Sequence, residues 1–294
     1  MGLFRSDRPP LARLQLLTDQ ACALSSPPNW SRRPVILLRQ INALPSAERD
    51  RCYLSLVPPG FCERFSLDPV AFTDPQGRSV ANVEAPISES WAKLSIKHRA
   101  DALDAAFFLR LDESRYGNLQ ITFIILNDPD GPRFGIDLDD EGRITELGAR
   151  SRNRREEESA MRAGLTPGQI RPGLRMLWPT LERIEAFAAR LGKAALLLEA
   201  FFYHNALLYE KYGFGYLAGR DRMEAIHRGF LPGGDLTRRL NGSTPFRLPG
   251  AGANIRGRSW AIHDGILSPP WWPPVMYRPI GVRLNVCTAP GVPF

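Results

Sequence analysis

The spacing of apolar residues changes several times along the 294-residue chain, and each change predicts an element. Leu11, Leu14, Leu17 and Ala21 recur at helical spacing and predict an amphipathic helix near the N-terminus. A proline-rich hinge follows at Pro27-Pro28 and Pro34, and then a short apolar run, 35–41, of undecided type. From Leu54 to Val83 the pattern predicts loops and short strands. It is punctuated by Pro58-Pro59-Gly60, Asp68-Pro69 and a strand-joining turn, Asp74-Pro75-Gln76-Gly77. Residues 99–109 read as helical. Residues 119–126 (Leu-Gln-Ile-Thr-Phe-Ile-Ile-Leu) are rich in β-branched and aromatic side chains and carry the clearest strand signal. Turn chemistry follows at Asn127-Asp128-Pro129-Asp130-Gly131-Pro132. Residues 133–138 and 143–147 then predict two further strands of an antiparallel meander.

Beyond the meander the period becomes helical. Residues 150–158 form a charged start to a short helix that reaches Met161 and stops at Gly164. A Gly/Pro segment, 164–173, leads into Leu177, Leu181, Ile184, Phe187, Ala188 and Leu191 at helical spacing, with Glu182, Arg183, Glu185 and Arg190 on the other face. Pro179 is tolerated only in a first turn, so this helix starts near residues 175–178, and Gly192 ends it. The apolar run 194–202, broken only by Glu199, suits a buried and parallel strand. A short helix, 205–212, ends at Gly213. This order describes an α/β fold.

With 44% hydrophobic residues the chain has ample material for a core, which excludes global disorder. The richest apolar run, 194–203, is too short for a membrane span, which needs about 20 residues. The net charge is +7, and only four of the 38 basic residues are Lys. The basic excess over residues 220–283 suits anionic ligands such as phosphate esters, coenzyme A or nucleic acid. Without a dense Lys/Arg run interleaved with aromatics, nucleic acid is the weaker match. Cys22, Cys52, Cys62 and Cys287 form no CxxC pair and fit no zinc spacing. Reduced thiols, and an N-terminus lacking the apolar core of a signal peptide, point to the cytoplasm.

Residues 208–214, Leu-Tyr-Glu-Lys-Tyr-Gly-Phe, resemble the LYEKxGF signature of the GNAT acyltransferase superfamily. Their context is similar to that family: a Gly-containing turn 40 residues before Gly213, a helix, a buried strand, the Tyr-bearing helix, and a closing strand at 275–281. The resemblance covers residues 115–281, with an insertion at about 219–273. It leaves 1–34 as an N-terminal tail or helix, 35–114 as an α+β extension and 282–294 as a C-terminal tail. It implies a GNAT-like mixed central sheet flanked by helices, and an enzyme that transfers an acyl group from acetyl-CoA or another acyl-CoA to an amine or small-molecule acceptor. Tyr209 takes the place of the general acid. Gly173, Leu174 and Arg175 take the place of the phosphate-binding turn, with Arg171 as a further phosphate ligand and Asn205 as a cofactor contact. The turn departs from the family pattern Q/R-x-x-G-x-G/A, because Arg175 stands where the second Gly or Ala belongs.

Simple chemistry supports such roles. A helix N-terminus presents free N–H groups and a positive dipole end to a pyrophosphate. A Tyr hydroxyl can protonate a leaving thiolate. Glu199, a carboxylate in an apolar strand, and His204, just past its end, are candidate bases for the acceptor. Two other readings come from other residues. A GNAT-like protein without turnover would bind a ligand or a protein partner, with the Trp260, Trp271 and Trp272 segment and its prolines as a rigid wall. A metal-dependent enzyme would use Glu224 and His227, spaced one helical turn apart; no metal is expected in the leading reading. Ser259 with His263-Asp264 suggests hydrolytic chemistry, but no G-x-S-x-G elbow accompanies it.

Overall fold

The computed structural model describes residues 35–145 and 151–294. The helix predicted around residues 11–21 and the end of the strand predicted at 143–147 lie outside the described residues.

Three helices come first: α1 (Leu38–Asn42), α2 (Ser46–Leu54) and α3 (Pro59–Phe65). The sequence reading had loops and strands over α3. Pro58 caps this helix and Pro59 occupies its first position, where a missing N–H costs nothing, so the Pro-Pro-Gly run starts a helix rather than a turn. Strands β1 (Ala81–Glu84), β2 (Trp91–Ile96), β3 (Phe107–Glu113) and β4 (Leu119–Leu126) form an antiparallel meander. The turn predicted at Asp74–Gly77 is present, with Asp74 Oδ1 accepting from the N–H groups of Gln76 and Arg78.

The helix predicted over 99–109 is not formed. Phe107, Leu109 and Leu111 are buried while Phe108 and Arg110 are half-buried, a period of two that belongs to β3. Among the described residues the two strands predicted after β4 do not form: one bridge, Leu138 to Ile144, joins those segments, and the antiparallel meander leads up to β4 instead of following it. β4 itself has the predicted bounds.

After β4 come α4 (Arg154–Arg162), capped by Asn153, and α5 (Leu177–Arg190), whose third residue is Pro179. Then follow β5 (Ala195–Glu199), α6 (Tyr203–Lys211) and β6 (Gly215–Ala218). Residues 219–274 hold α7 (Arg220–Gly229), α8 (Asp235–Arg239), two 3-10 turns and α9 (Ile255–His263), and β7 (Val275–Pro279) closes the sheet.

The molecule is a mixed α/β protein with one seven-stranded sheet in the order β1-β2-β3-β4-β5-β7-β6. β5 runs parallel to β4 and antiparallel to β7. One large core unites α1–α3, α5 and α6 with the sheet; Leu181, Ile184 and Ala188 of α5 join it together with Leu196 and Leu198 of β5. On this side Arg278 of β7, 1% exposed, pairs with Glu185 of α5 at 2.8 Å. Lys193 and Glu113 form a second buried ion pair. Among the described residues no helix is long and apolar enough to cross a membrane.

Candidate functional site

β4 and β5 are paired over three residues only, Leu119–Leu196, Gln120–Leu197 and Ile121–Leu198. Beyond Ile121, β4 continues to Leu126 with β3 as its only strand neighbour among the described residues, while β5 ends at Glu199 against Val275 of β7. Pairing of the two parallel strands therefore stops one residue before β5 ends, and the unpaired stretch beside residues 122–126 is called the wedge below. Its far end is bounded by the Gly173 segment: Leu174 N–H donates to Leu126 O (2.9 Å), and Asn127 bridges to Gly173.

That segment leads directly into α5. Among the described residues, the N–H groups of Arg175, Met176, Leu177 and Trp178 have no partner, as expected for a first turn. Gly173 is exposed, and a Cβ there would meet nothing closer than 3.7 Å, so the protein itself does not require Gly. Arg175 is exposed, has no ion pair among the described residues, and sits at φ 58°, the left-handed region that favours Gly. The backbone thus takes a conformation that favours Gly while carrying a cation.

Arg171, expected as a phosphate ligand, is turned elsewhere. Its guanidinium donates to Asp104 Oδ2 (3.1 Å), Pro129 O (3.3 Å) and Gly131 O (2.7 Å), which fastens the segment to the loop after β4.

α6 follows β5 directly in the chain. Asn205 and Tyr209 lie four residues apart and so share a helix face. Neither side chain's polar group bonds to another described residue. Tyr209 is 7% exposed and packs edge-on against Phe214, with ring centroids 5.3 Å apart. Burial pushes its phenol well above the ordinary value, so the hydroxyl keeps its proton at neutral pH. Glu199 is half-buried at the end of β5.

His204 is buried, with both ring nitrogens engaged. Thr166 N–H donates to Gln169 Oε1 (2.8 Å), which fixes that amide's orientation. The same oxygen takes the Thr166 hydroxyl proton (2.7 Å). Thr166 Oγ1 must then accept from His204 Nε2–H (2.9 Å), leaving Nδ1 to accept from the Ser259 hydroxyl (2.8 Å). The imidazole is neutral at pH 7. Burial, then the nearby His263, push its pKa down to about 3. Thr166 and Ser259 lie 38 and 55 residues away in sequence, and no local pattern signalled that either would bond His204. In this setting His204 ties the 164–173 segment to α6 and α9 instead of facing an acceptor. The contact is tight: a Cβ on Gly168 would fall 2.3 Å from the ring of Phe202, which stacks on His204.

The remaining candidates are divided among other partners. Glu224 pairs with Arg220 (2.9 Å), and His227 accepts from Arg258 (3.1 Å), so the E-x-x-H pair does not converge. Among the described residues no group of three or more His, Cys, Asp or Glu is placed to hold a metal. His263 bonds Glu157 (2.9 Å), and Arg152 bridges Glu157 to Asp264 (3.0 Å), so both His263 and Asp264 are engaged in a buried charge network, while Ser259 bonds His204. Trp260 is 1% exposed and core, Trp271 donates to Phe201 O (2.8 Å), and Trp272 lies under Arg222. A cleft of about 490 Å³ lies across α6 from Tyr209, between Leu207, Glu210 and Lys211 and the tail residues Leu284–Cys287. Glu210 anchors that tail by accepting from Thr288 N–H (3.0 Å) and Oγ1 (2.6 Å).

Comparison of the chain with protein-family models, with curated proteins and with solved structures finds no match.

Proposed function

We propose that this protein is a GNAT-like acyltransferase that moves an acyl group from an acyl-CoA to an amine. The observation that carries the reading is the β4–β5 wedge: the two central parallel strands pair over only three residues, the free N–H groups before and in the first turn of α5 follow the segment that bonds the end of β4, and α6, which carries Asn205 and Tyr209, follows β5 directly. The strand order β1-β2-β3-β4-β5-β7-β6 and the Leu208–Phe214 signature support it independently.

The chemistry follows from these residues. The N–H groups of residues 175–178 and the Arg175 guanidinium receive the pyrophosphate. Asn205 bonds the amide-rich arm of the donor. The acceptor nitrogen attacks the thioester carbonyl; a C–N bond forms and the C–S bond breaks. Glu199, directly or through water, takes the proton that leaves the nitrogen, and Tyr209 gives its proton to the departing thiolate. His204, with both nitrogens engaged, has the role of positioning α6 against the 164–173 segment, which revises its reading as a base.

The test is release of free CoA from acetyl-CoA in the presence of an amine pool. Tyr209→Phe should slow release by roughly 10²-fold while thermal stability is kept. An unchanged rate would remove Tyr209 from the mechanism. A second reading, ligand binding without turnover, is favoured by one observation: the second turn Gly is replaced by Arg175. It predicts acetyl-CoA binding with no amine-dependent release.

A further inference from the structure

We propose that the cleft between α6 and the C-terminal tail is a second ligand site, built for the carboxylate and alkyl chain of a medium-length fatty acid. The inference does not rest on the acyltransferase reading, because the cleft lies across α6 from Tyr209. The tail makes the cleft. Over residues 283–287, Arg283, Asn285 and Cys287 are exposed while Leu284 and Val286 are half-buried, the period of two of an extended segment. Leu284 N–H donates to Gly213 O (2.9 Å), and Leu284 and Val286 seat on Gly215, where a Cβ would fall 2.7 Å and 3.7 Å from them. Thr288 bonds Glu210, and Pro293 O accepts from Ile255 N–H (2.8 Å) at the start of α9. The tail is thus held at three points, and about 490 Å³ remains between it and α6.

That volume is in the range of small-molecule sites. The apolar lining comes from Leu207 and Ile255, both buried, with Leu284, Val286, Ala289 and Val292. No aromatic ring lines the cleft. Aliphatic side chains give area to an alkyl chain in proportion to the surface they cover, and offer no stacking platform to a base or another flat ring.

Charge selects the head group. Lys211 and Arg283 both line the cleft, are exposed, and have no ion pair among the described residues. Each meets a ring instead of an acid: Lys211 Nζ lies 5.2 Å from the centre of the Phe294 ring, and the Arg283 guanidinium 4.1 Å from that of Trp178. The one acidic residue of the lining, Glu210, has its carboxylate occupied by the Thr288 N–H and hydroxyl and by the Tyr216 hydroxyl. Two cations against one carboxylate leave a single positive charge. One further carboxylate balances it, whereas a phosphate monoester, at about −1.5 to −2, exceeds it.

The experiment titrates decanoate, hexanoate and decylamine into the full-length protein by calorimetry, and maps decanoate by amide hydrogen exchange. Each buried methylene contributes roughly fourfold in affinity, so decanoate should bind at least about tenfold more tightly than hexanoate, and more tightly than decylamine. Protection should fall on peptides covering residues 284–292. Lys211→Gln combined with Arg283→Gln should weaken decanoate by about tenfold. Because Arg283 packs on Trp178, thermal unfolding accompanies each variant, and the charge-preserving pair Lys211→Arg with Arg283→Lys should bind decanoate as the parent does. No decanoate binding, equal binding of hexanoate or decylamine, unchanged affinity in the folded charge-deleted variant, or protection confined to residues 122–126 and 173–178 would overturn the inference. An acetyl-CoA titration of the same preparations separates the two proposals. Decanoate binding without acetyl-CoA binding would sink the acyltransferase reading alone, and acetyl-CoA binding without decanoate binding would sink the fatty-acid site alone.

Discussion

Arg175→Gly separates the two things this residue does. At φ 58° a side chain with a Cβ costs roughly 1–2 kcal/mol relative to the right-handed region. Gly removes that strain but gives the unfolded chain about 0.4–1 kcal/mol more conformational entropy. The two terms leave stability unchanged or raised by up to about 1.6 kcal/mol, a shift of roughly 6 °C or less in melting temperature. The same change deletes an exposed guanidinium beside four free N–H groups. A charge-assisted hydrogen bond to phosphate contributes about 1.5–3 kcal/mol, so acetyl-CoA should bind roughly 10- to 100-fold more weakly. Calorimetry reads the affinity and thermal unfolding reads the stability, on the same preparations. Weaker binding with equal or greater stability is the expected pair of results. Tighter binding would mean that the Arg side chain blocks the backbone, and equal binding would mean that it never meets the phosphate; either refutes the reasoning.

Two further outcomes concern the frame around the site. His204 has a folded pKa of about 3 against an ordinary value of 6.5, so its contribution is fully present above 6.5 and is lost as pH falls towards 3. Stability should drop by about 3 kcal/mol from this group between pH 7.5 and 4.5, measured by urea unfolding, and His204→Gln should flatten that slope; an identical slope in the variant would contradict the assignment. Gly168→Ala puts a Cβ 2.3 Å from Phe202 at φ 81°, and should destabilise by at least about 2 kcal/mol; a neutral result in thermal unfolding would show that the Phe202 contact is soft.

Much of the frame was legible wherever pattern and punctuation agreed. β4 had both, with β-branched residues ended by Asn127-Asp128-Pro129. For α5, apolar spacing, Pro179 and Gly192 gave the same bounds. α3 was misread because Pro-Pro-Gly serves a helix start as well as a turn. The 99–109 segment was misread because Ala-rich composition masked the two-residue alternation from Phe107 onwards. Within the site, Tyr209, Asn205 and the Gly173–Arg175 turn could be placed because they are local to one helix or one turn. The engagement of Arg171 with Asp104, and of His204 with Thr166 and Ser259, depends on residues 38 to 67 positions away, which no local pattern encodes. The contacts of Phe123 with Phe108 and Phe201 were equally hidden, since the three rings are distant in sequence and meet only in the folded protein.

The central claim is that the β4–β5 wedge receives the acyl donor, and amide hydrogen exchange with and without saturating acetyl-CoA tests it most directly. Protection should appear in peptides covering residues 122–126 and 173–178 and at the start of α6, while the tail at 284–292 stays unchanged. Protection confined to the tail cleft, or no protection anywhere, would contradict the claim.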